Sequence, residues 1–235
     1  MATRADITRR LTAECVGTAL LLAAVVGSGI MAERLSGGNV ALALLANSVA
    51  TGGTLIALIL AFGPVSGAHF NPAVTLADAS QRGLPWREAP WYIAAQVIGA
   101  VAGVIVAHLM FGLPWYTPSV HVRAGAAQMF SEAVATFGLL TVIWGCSRSR
   151  AQVVPFAVGA YIVGAYWFTA STSFANPAVT IARALTNTFA GIRPADVGGF
   201  IGAQLAGAGL ATALFRWLVP SLPATAPDLV VSRND

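Results

Sequence analysis

The sequence contains no lysine, and charge of either sign is scarce: 9% of its 235 residues are charged, against 57% hydrophobic. With a mean hydropathy of +0.73, this excludes an ordinary soluble domain, in which about a quarter of residues are charged. All thirteen basic side chains are arginine and lie scattered between apolar stretches, so the net charge of +4 does not describe a nucleic-acid surface. Cysteine is almost as rare: Cys15 and Cys146 are the two present, both within apolar stretches. That is too few for a disulfide framework or a metal cluster, and both read as small packing residues. No catalytic constellation, cofactor motif or metal-ligand set emerges, so an enzyme is not expected.

What the chain has is six long apolar stretches, at about 11–32, 40–62, 91–113, 124–146, 151–170 and 198–218. A helix crossing about 30 Å of hydrocarbon needs roughly 20 such residues, so each predicts a transmembrane helix. The first follows basic residues, as a signal peptide does, but is too long for that and leads directly into a second span; it reads as a retained helix. Six spans put both termini on one side. Nine arginines fall on that side and four, Arg34, Arg123, Arg183 and Arg193, on the other, which predicts cytoplasmic termini in an inner or plasma membrane. The Pro-rich, polar residues 220–235 predict a flexible cytoplasmic tail.

The chain also repeats itself. "FNPAVTLADA" from Phe70 returns as "FANPAVTIARAL" from Phe174, "ECVGTALLL" from Glu14 as "EAVATFGLL" from Glu132, and "YIAAQVIGA" from Tyr92 as "FIGAQLAGA" from Phe200. Two halves follow, 1–118 and 119–219, each with three spans and an "NPA" motif between its second and third. An odd number of spans per half makes the repeat inverted, with its working site near the midplane between the halves. Within each motif Asn71 or Asn176 suits a helix N-cap, and Pro72 or Pro177 suits the first helical position. The segment from Pro72 to about residue 81 therefore predicts a helix of about 15 Å, roughly half a membrane.

Two half-helices entering from opposite faces would meet N-terminus to N-terminus. The extended residues before them cannot face lipid with unpaired backbone groups, so they must line a cavity or be buried. The backbone carbonyls of Gly67, Ala68, His69, Phe70, Phe174 and Ala175 then become a ladder of acceptors. The half-helix dipoles point positive charge at the centre, and the two Asn amides offer donors there. Glu14 and Glu132 occupy equivalent places inside the first and fourth spans, where a charge needs a partner; they are expected to accept hydrogen bonds from the loops ahead of the half-helices.

These residues resemble the aquaporin, or major intrinsic protein, family: two motifs at Asn71, Pro72, Ala73 and Asn176, Pro177, Ala178, the string "SGAHFNPAVT", and the paired Glu and Gln landmarks. The resemblance covers about residues 8–219. It implies an all-α membrane protein with six transmembrane helices and two half-helices in an inverted repeat, one pore per subunit, and a homotetramer in the lipid bilayer. Gly99 and Gly103, or Gly198 and Gly202, fit close helix packing in such a bundle. By distance from the two Asn residues, the family's constriction maps to Thr51, Gly164, Ser173 and Val179.

Here the chain departs from the family's pattern. The second motif is usually followed by an arginine that lines the constriction; this chain has Val179. Neither the histidine and aromatic ring of water-selective members nor the aromatics and trailing aspartate of glycerol channels map onto these positions, and Thr180 stands in place of that aspartate. The resemblance therefore implies a wide, weakly polar filter passing water and neutral solutes such as glycerol, urea or arsenous acid. Arg183, one turn beyond Val179, is a candidate substitute for the missing arginine. A water-selective channel, a coupled transporter and a structural membrane protein remain alternatives. His69 and His121 read as loop residues, and His108 as an isolated ionisable group within a span.

Overall fold

The computed structural model describes residues 6–147 and 151–219. The expected tail at 220–235 lies outside the described residues, as do Arg4, Arg148, Arg150 and Arg233 of the charge argument. Eight α-helices are found among the described residues: α1 (Ile7–Leu35), α2 (Val40–Ser66), α3 (Pro72–Ser80), α4 (Ala89–Met110), α5 (Ala126–Ser147), α6 (Val154–Phe168), α7 (Pro177–Arg183) and α8 (Val197–Leu218). Six spans are long and apolar enough to cross a membrane, α6 reaching 18 residues with the single 3-10 turn before it. The two short helices α3 and α7 begin at Pro72 and Pro177, and Asn71 and Asn176 accept hydrogen bonds from backbone N–H groups of the first turn. At nine and seven residues, they are about 14 and 10 Å long.

The helices pair within each repeat, α1 with α4 and α5 with α8, while α2 meets α6 between repeats. Glycine permits the closest crossings. A Cβ on Gly99 would run into the carbonyl of Cys15, and one on Gly207 into the carbonyl of Ala133. Residues 99 and 207 are equivalent in the repeat, as are 15 and 133. Gly103 likewise rests on the backbone of Ala19, as expected, but Gly198 and Gly202 face open space. The contact in α8 lies farther along the helix, because the register that aligns Gln96 with Gln204 makes Gly207 the counterpart of Gly99.

The half-helices lock the repeats together by packing into each other's bundle. Ala73, Val74 and Ala77 of α3 join the core of α5, α6 and α8 around Leu140, Trp144 and Ala211. Ala178, Val179 and Ala182 of α7 join the core of α1, α2 and α4 around Leu22, Val26 and Val104.

Candidate functional site

The two motifs meet where the half-helices abut. Asn71 Nδ2 donates to the carbonyl of Ala175 at 2.8 Å, and Asn176 Nδ2 donates to the carbonyl of Phe70 at 2.8 Å. Each Asn Oδ1 is held by the first turn of its own helix, Asn71 by Ala73 N and Asn176 by Ala178 N and Val179 N. A primary amide carries two N–H bonds. One on each Asn is used to tie the loops together, and the other makes no hydrogen bond among the described residues. Phe70 and Ala175 correspondingly spend one carbonyl lone pair on the opposite loop.

The loops ahead of the half-helices have backbone that ordinary residues avoid. Ala68, Phe70, Ser173 and Ala175 all have φ of 48–49°, and each such residue costs about 1–2 kcal/mol relative to the right-handed region. Two buried carboxylates offset this. Glu14 accepts from His69 N at 3.0 Å and Phe70 N at 2.7 Å; Glu132 accepts from Phe174 N and Ala175 N at 2.9 Å each. Hydrogen bonds to charged groups contribute about 1.5–3 kcal/mol, enough to balance the strained residues. Each Glu is held in turn by a glutamine that also reaches its half-helix: Gln96 bridges Glu14 and Thr75, and Gln204 bridges Glu132 and Thr180. The loop and glutamine bonds are repeated in the two halves, while Glu14 takes one more, from Ser66 Oγ at 2.6 Å.

A cavity of about 360 Å³ runs along these loops, and its wall includes both Asn residues and all six residues of the expected carbonyl ladder. Of the four mapped constriction residues, Thr51, Ser173 and Val179 line it. Ser173 Oγ is buried with no hydrogen-bond partner among the described residues, which leaves it available to a hydroxyl in the cavity. Gly164 is not in the wall: it lies on the exposed face of α6 with open space around it. The face that lines the cavity carries Val158, Ile162 and Tyr166, spaced four apart as one side of a helix requires. Counting twelve residues back from Asn176 lands two residues before Tyr166, on the other side of α6. Periodicity along "VGAYIVGAYWF" identifies the lining stripe. Tyr166 is therefore an aromatic residue of the wall, with its hydroxyl 3.3 Å from Thr51 Oγ1.

At the end opposite the termini stand two buried arginines. Arg123, in the link between α4 and α5, donates from Nε to the carbonyl of Gly191 and from Nη1 to that of Ser171. Arg183 closes α7 and donates from Nε to the carbonyl of Ala190. Both guanidinium groups lie over the Phe174 ring, 5.0 Å and 3.3 Å from its centroid. Burial lowers the Arg123 pKa to about 10, so it stays cationic at neutral pH. His121, an exposed residue of the same link, is held below its ordinary value of 6.5 by burial of part of its ring and then by Arg123 and Arg183. His108 is tethered at both ring nitrogens, to the Pro114 carbonyl and to Thr186 Oγ1, and so ties α4 to the loop after α7. Among the described residues, no three His, Cys, Asp or Glu side chains are grouped to hold a metal.

The family model described as Major intrinsic protein matches residues 1–170. The chain belongs to the major intrinsic protein family. This major intrinsic protein is similar to aquaglyceroporin AqpS of Rhizobium meliloti (strain 1021), 55% identical over 227 residues that cover 95% of this chain and 97% of the relative. It is 40% identical over 159 residues to probable aquaporin NIP7-1 of Arabidopsis thaliana, covering 66% of this chain but only 57% of that protein's length. The structure of the aquaglyceroporin from Plasmodium falciparum matches with a TM-score of 0.68, covering 93% of this chain and 100% of that one; at 19% identity the likeness is one of fold. The chain is thus a multi-pass membrane protein with the inverted-repeat bundle of its family, and acts as a passive channel, not as an enzyme.

Proposed function

We propose that the channel conducts small uncharged solutes larger than water, glycerol-like polyols or neutral metalloid hydroxides such as arsenous acid, together with water. The observation that carries this is Val179 in the cavity wall, where most of the family is expected to place an arginine. A branched apolar side chain there removes a long cationic one and leaves width. Around it, Thr51 and Ser173 present hydroxyls, and Asn71 and Asn176 each keep one N–H. A polyol or metalloid hydroxide, which must shed water to enter, finds replacement donors and acceptors along one line. The half-helix N-termini oppose cations at the centre. The relative's name, aquaglyceroporin, agrees with this solute class.

In the same reading both termini are cytoplasmic in an inner or plasma membrane, by the arginine excess on that side. The outward apolar faces, with Leu45, Val49 and Trp167 exposed, contact lipid and the neighbouring subunits of a homotetramer. The test is a panel of water, glycerol, urea and arsenous acid permeabilities in proteoliposomes. Glycerol and arsenous acid should cross well above the rate of empty vesicles and only down their gradients. A protein that passes water alone, or accumulates solute, refutes the reading.

A further inference from the structure

A second cavity of about 260 Å³ lies at the mouth opposite the termini, walled by Asn47, His121, Arg123, Gln128, Thr172 and Arg183 together with apolar residues such as Leu44 and Phe189. Arg183 also lines the central cavity, so its guanidinium stands at the junction of the two. Its single hydrogen bond among the described residues is from Nε to the Ala190 carbonyl; its terminal nitrogens have no acceptor there. Arg123 spends its Nε and Nη1 on neutral oxygens.

What is missing is a carboxylate in contact: Glu132 attracts both arginines from a distance, but its oxygens are engaged by Phe174 N, Ala175 N and Gln204 Nε2. Neither cavity wall contains an Asp or Glu among the described residues. The nearby carboxylate of Asp196 is taken by the backbone N–H of Arg123 and by Arg193 Nη2, and no ion pair is made by the side chain of Arg123 or Arg183 among the described residues. Two guanidinium groups drawn to one ring repel each other. Buried charges are ordinarily paired, and a planar guanidinium fork matches a pair of anionic oxygens.

We propose that Arg123 and Arg183 form a binding site for a small planar oxyanion, a carboxylate or its like, at the junction of the two cavities. Bound there, the anion supplies a counter-charge in direct contact with the guanidinium groups and stands in the path of the solute, so it competes with neutral flux entering from that mouth. The competition rests on the solute reading above; the binding does not. Nitrate is a suitable probe, because it has the oxygen fork and no neutral form near pH 7.

The experiment has two readouts on the full-length protein. Calorimetry in detergent should show saturable nitrate binding, against chloride at equal ionic strength, that is lost in both Arg183→Gln and Arg123→Gln and kept in Arg34→Gln, an exposed arginine outside both cavities. In proteoliposomes, nitrate on the side of that mouth should lower glycerol permeability by a factor of 1 + [nitrate]/Kd, about tenfold at about nine times Kd. Arg183→Lys retains the charge without the fork and should bind more weakly while folding as the wild type does. Absence of saturable binding to the wild type, or equal binding by the wild type and both Gln variants, overturns the proposal. If glycerol does not cross at all, the solute reading fails while the calorimetry still decides the site.

Discussion

The Arg183 guanidinium lies 3.3 Å from the centroid of the Phe174 ring, in the place where the other repeat sets the carboxylate of Asp78 3.5 Å from Nε2 of His69. Residues 69 and 78 stand in the same relation to Asn71 as 174 and 183 to Asn176. The backbone is therefore duplicated while the chemistry is not: one half-helix closes on an acid beside an imidazole, the other on a guanidinium over an arene. The scaffold is symmetric about the midplane and its two ends differ in charge, with Arg183 in the cavity wall and Asp78 outside it.

Restoring the arginine that the family's pattern leads one to expect should narrow that path. In Val179→Arg, glycerol and arsenous acid permeability are expected to fall at least about tenfold, equivalent to about 1.4 kcal/mol of added barrier, with a smaller loss for water. Stopped-flow measurements on the wild type and Val179→Arg side by side read the difference. An equal loss for all solutes would mean that position 179 does not set the width.

Tyr166 and Gly164 separate the observed wall from the one obtained by counting residues. Tyr166→Ala removes a ring from the cavity and its hydrogen bond to Thr51, so permeability to urea and glycerol should rise relative to water. Gly164→Ala adds a methyl where nothing lies within 4 Å and should leave every permeability unchanged. The opposite pattern would return Gly164 to the pore.

How much of this is legible in the sequence depends on whether a feature is local or relational. The half-helices could be read from Asn and Pro at consecutive positions, and the inverted repeat from matched Glu, Gln and "NPA" landmarks, because each is a short-range signal written twice. Tyr166 was missed because its place in the wall depends on how α6 rotates relative to a loop of unknown length. The arginine pair was half visible: Arg183 was a candidate by its spacing from Val179, whereas Arg123 reaches the same ring from a link about fifty residues earlier, and no local pattern reports that.

The Glu14 and Glu132 networks predict matched losses. Glu14→Ala strips acceptors from Ser66, His69, Phe70 and Gln96, and each buried donor left unsatisfied costs about 1–3 kcal/mol. A clear fall in melting temperature in detergent and loss of flux are expected, with the same outcome for Glu132→Ala. Glu14→Gln keeps one acceptor oxygen and should be milder. A melting temperature unchanged in both Ala variants would show that the strained loops are held by something else.

The helix crossings give a stability prediction that leaves the pore untouched. Gly207→Val would drive its side chain into the carbonyl of Ala133, where even a Cβ has no room, and overpacking of this kind costs about 1–3 kcal/mol. Gly99→Val should do the same against Cys15. Gly202→Val points into open space and should melt with the wild type; equal destabilisation by Gly202→Val and Gly207→Val would contradict the register that pairs residue 99 with 207.

The link between α4 and α5 should loosen in acid. Burial of part of the His121 ring, with Arg123 and then Arg183 nearby, holds its pKa below 6.5, so the folded link disfavours the imidazolium that the unfolded segment accepts. The sign follows from linkage: with the folded pKa depressed, the stabilising contribution is complete above pH 6.5 and is lost as pH falls through the folded value. Hydrogen exchange over residues 111–125 should therefore be constant from pH 8 to 7, once corrected for intrinsic rates, and lose protection as the pH falls below 6.5. In His121→Gln, which cannot be protonated, that acid-side loss should disappear, while protection at pH 7 stays near that of the wild type. Loosening on the alkaline side instead would require a folded pKa above 6.5, contrary to two neighbouring guanidinium groups that penalise every proton His121 takes up.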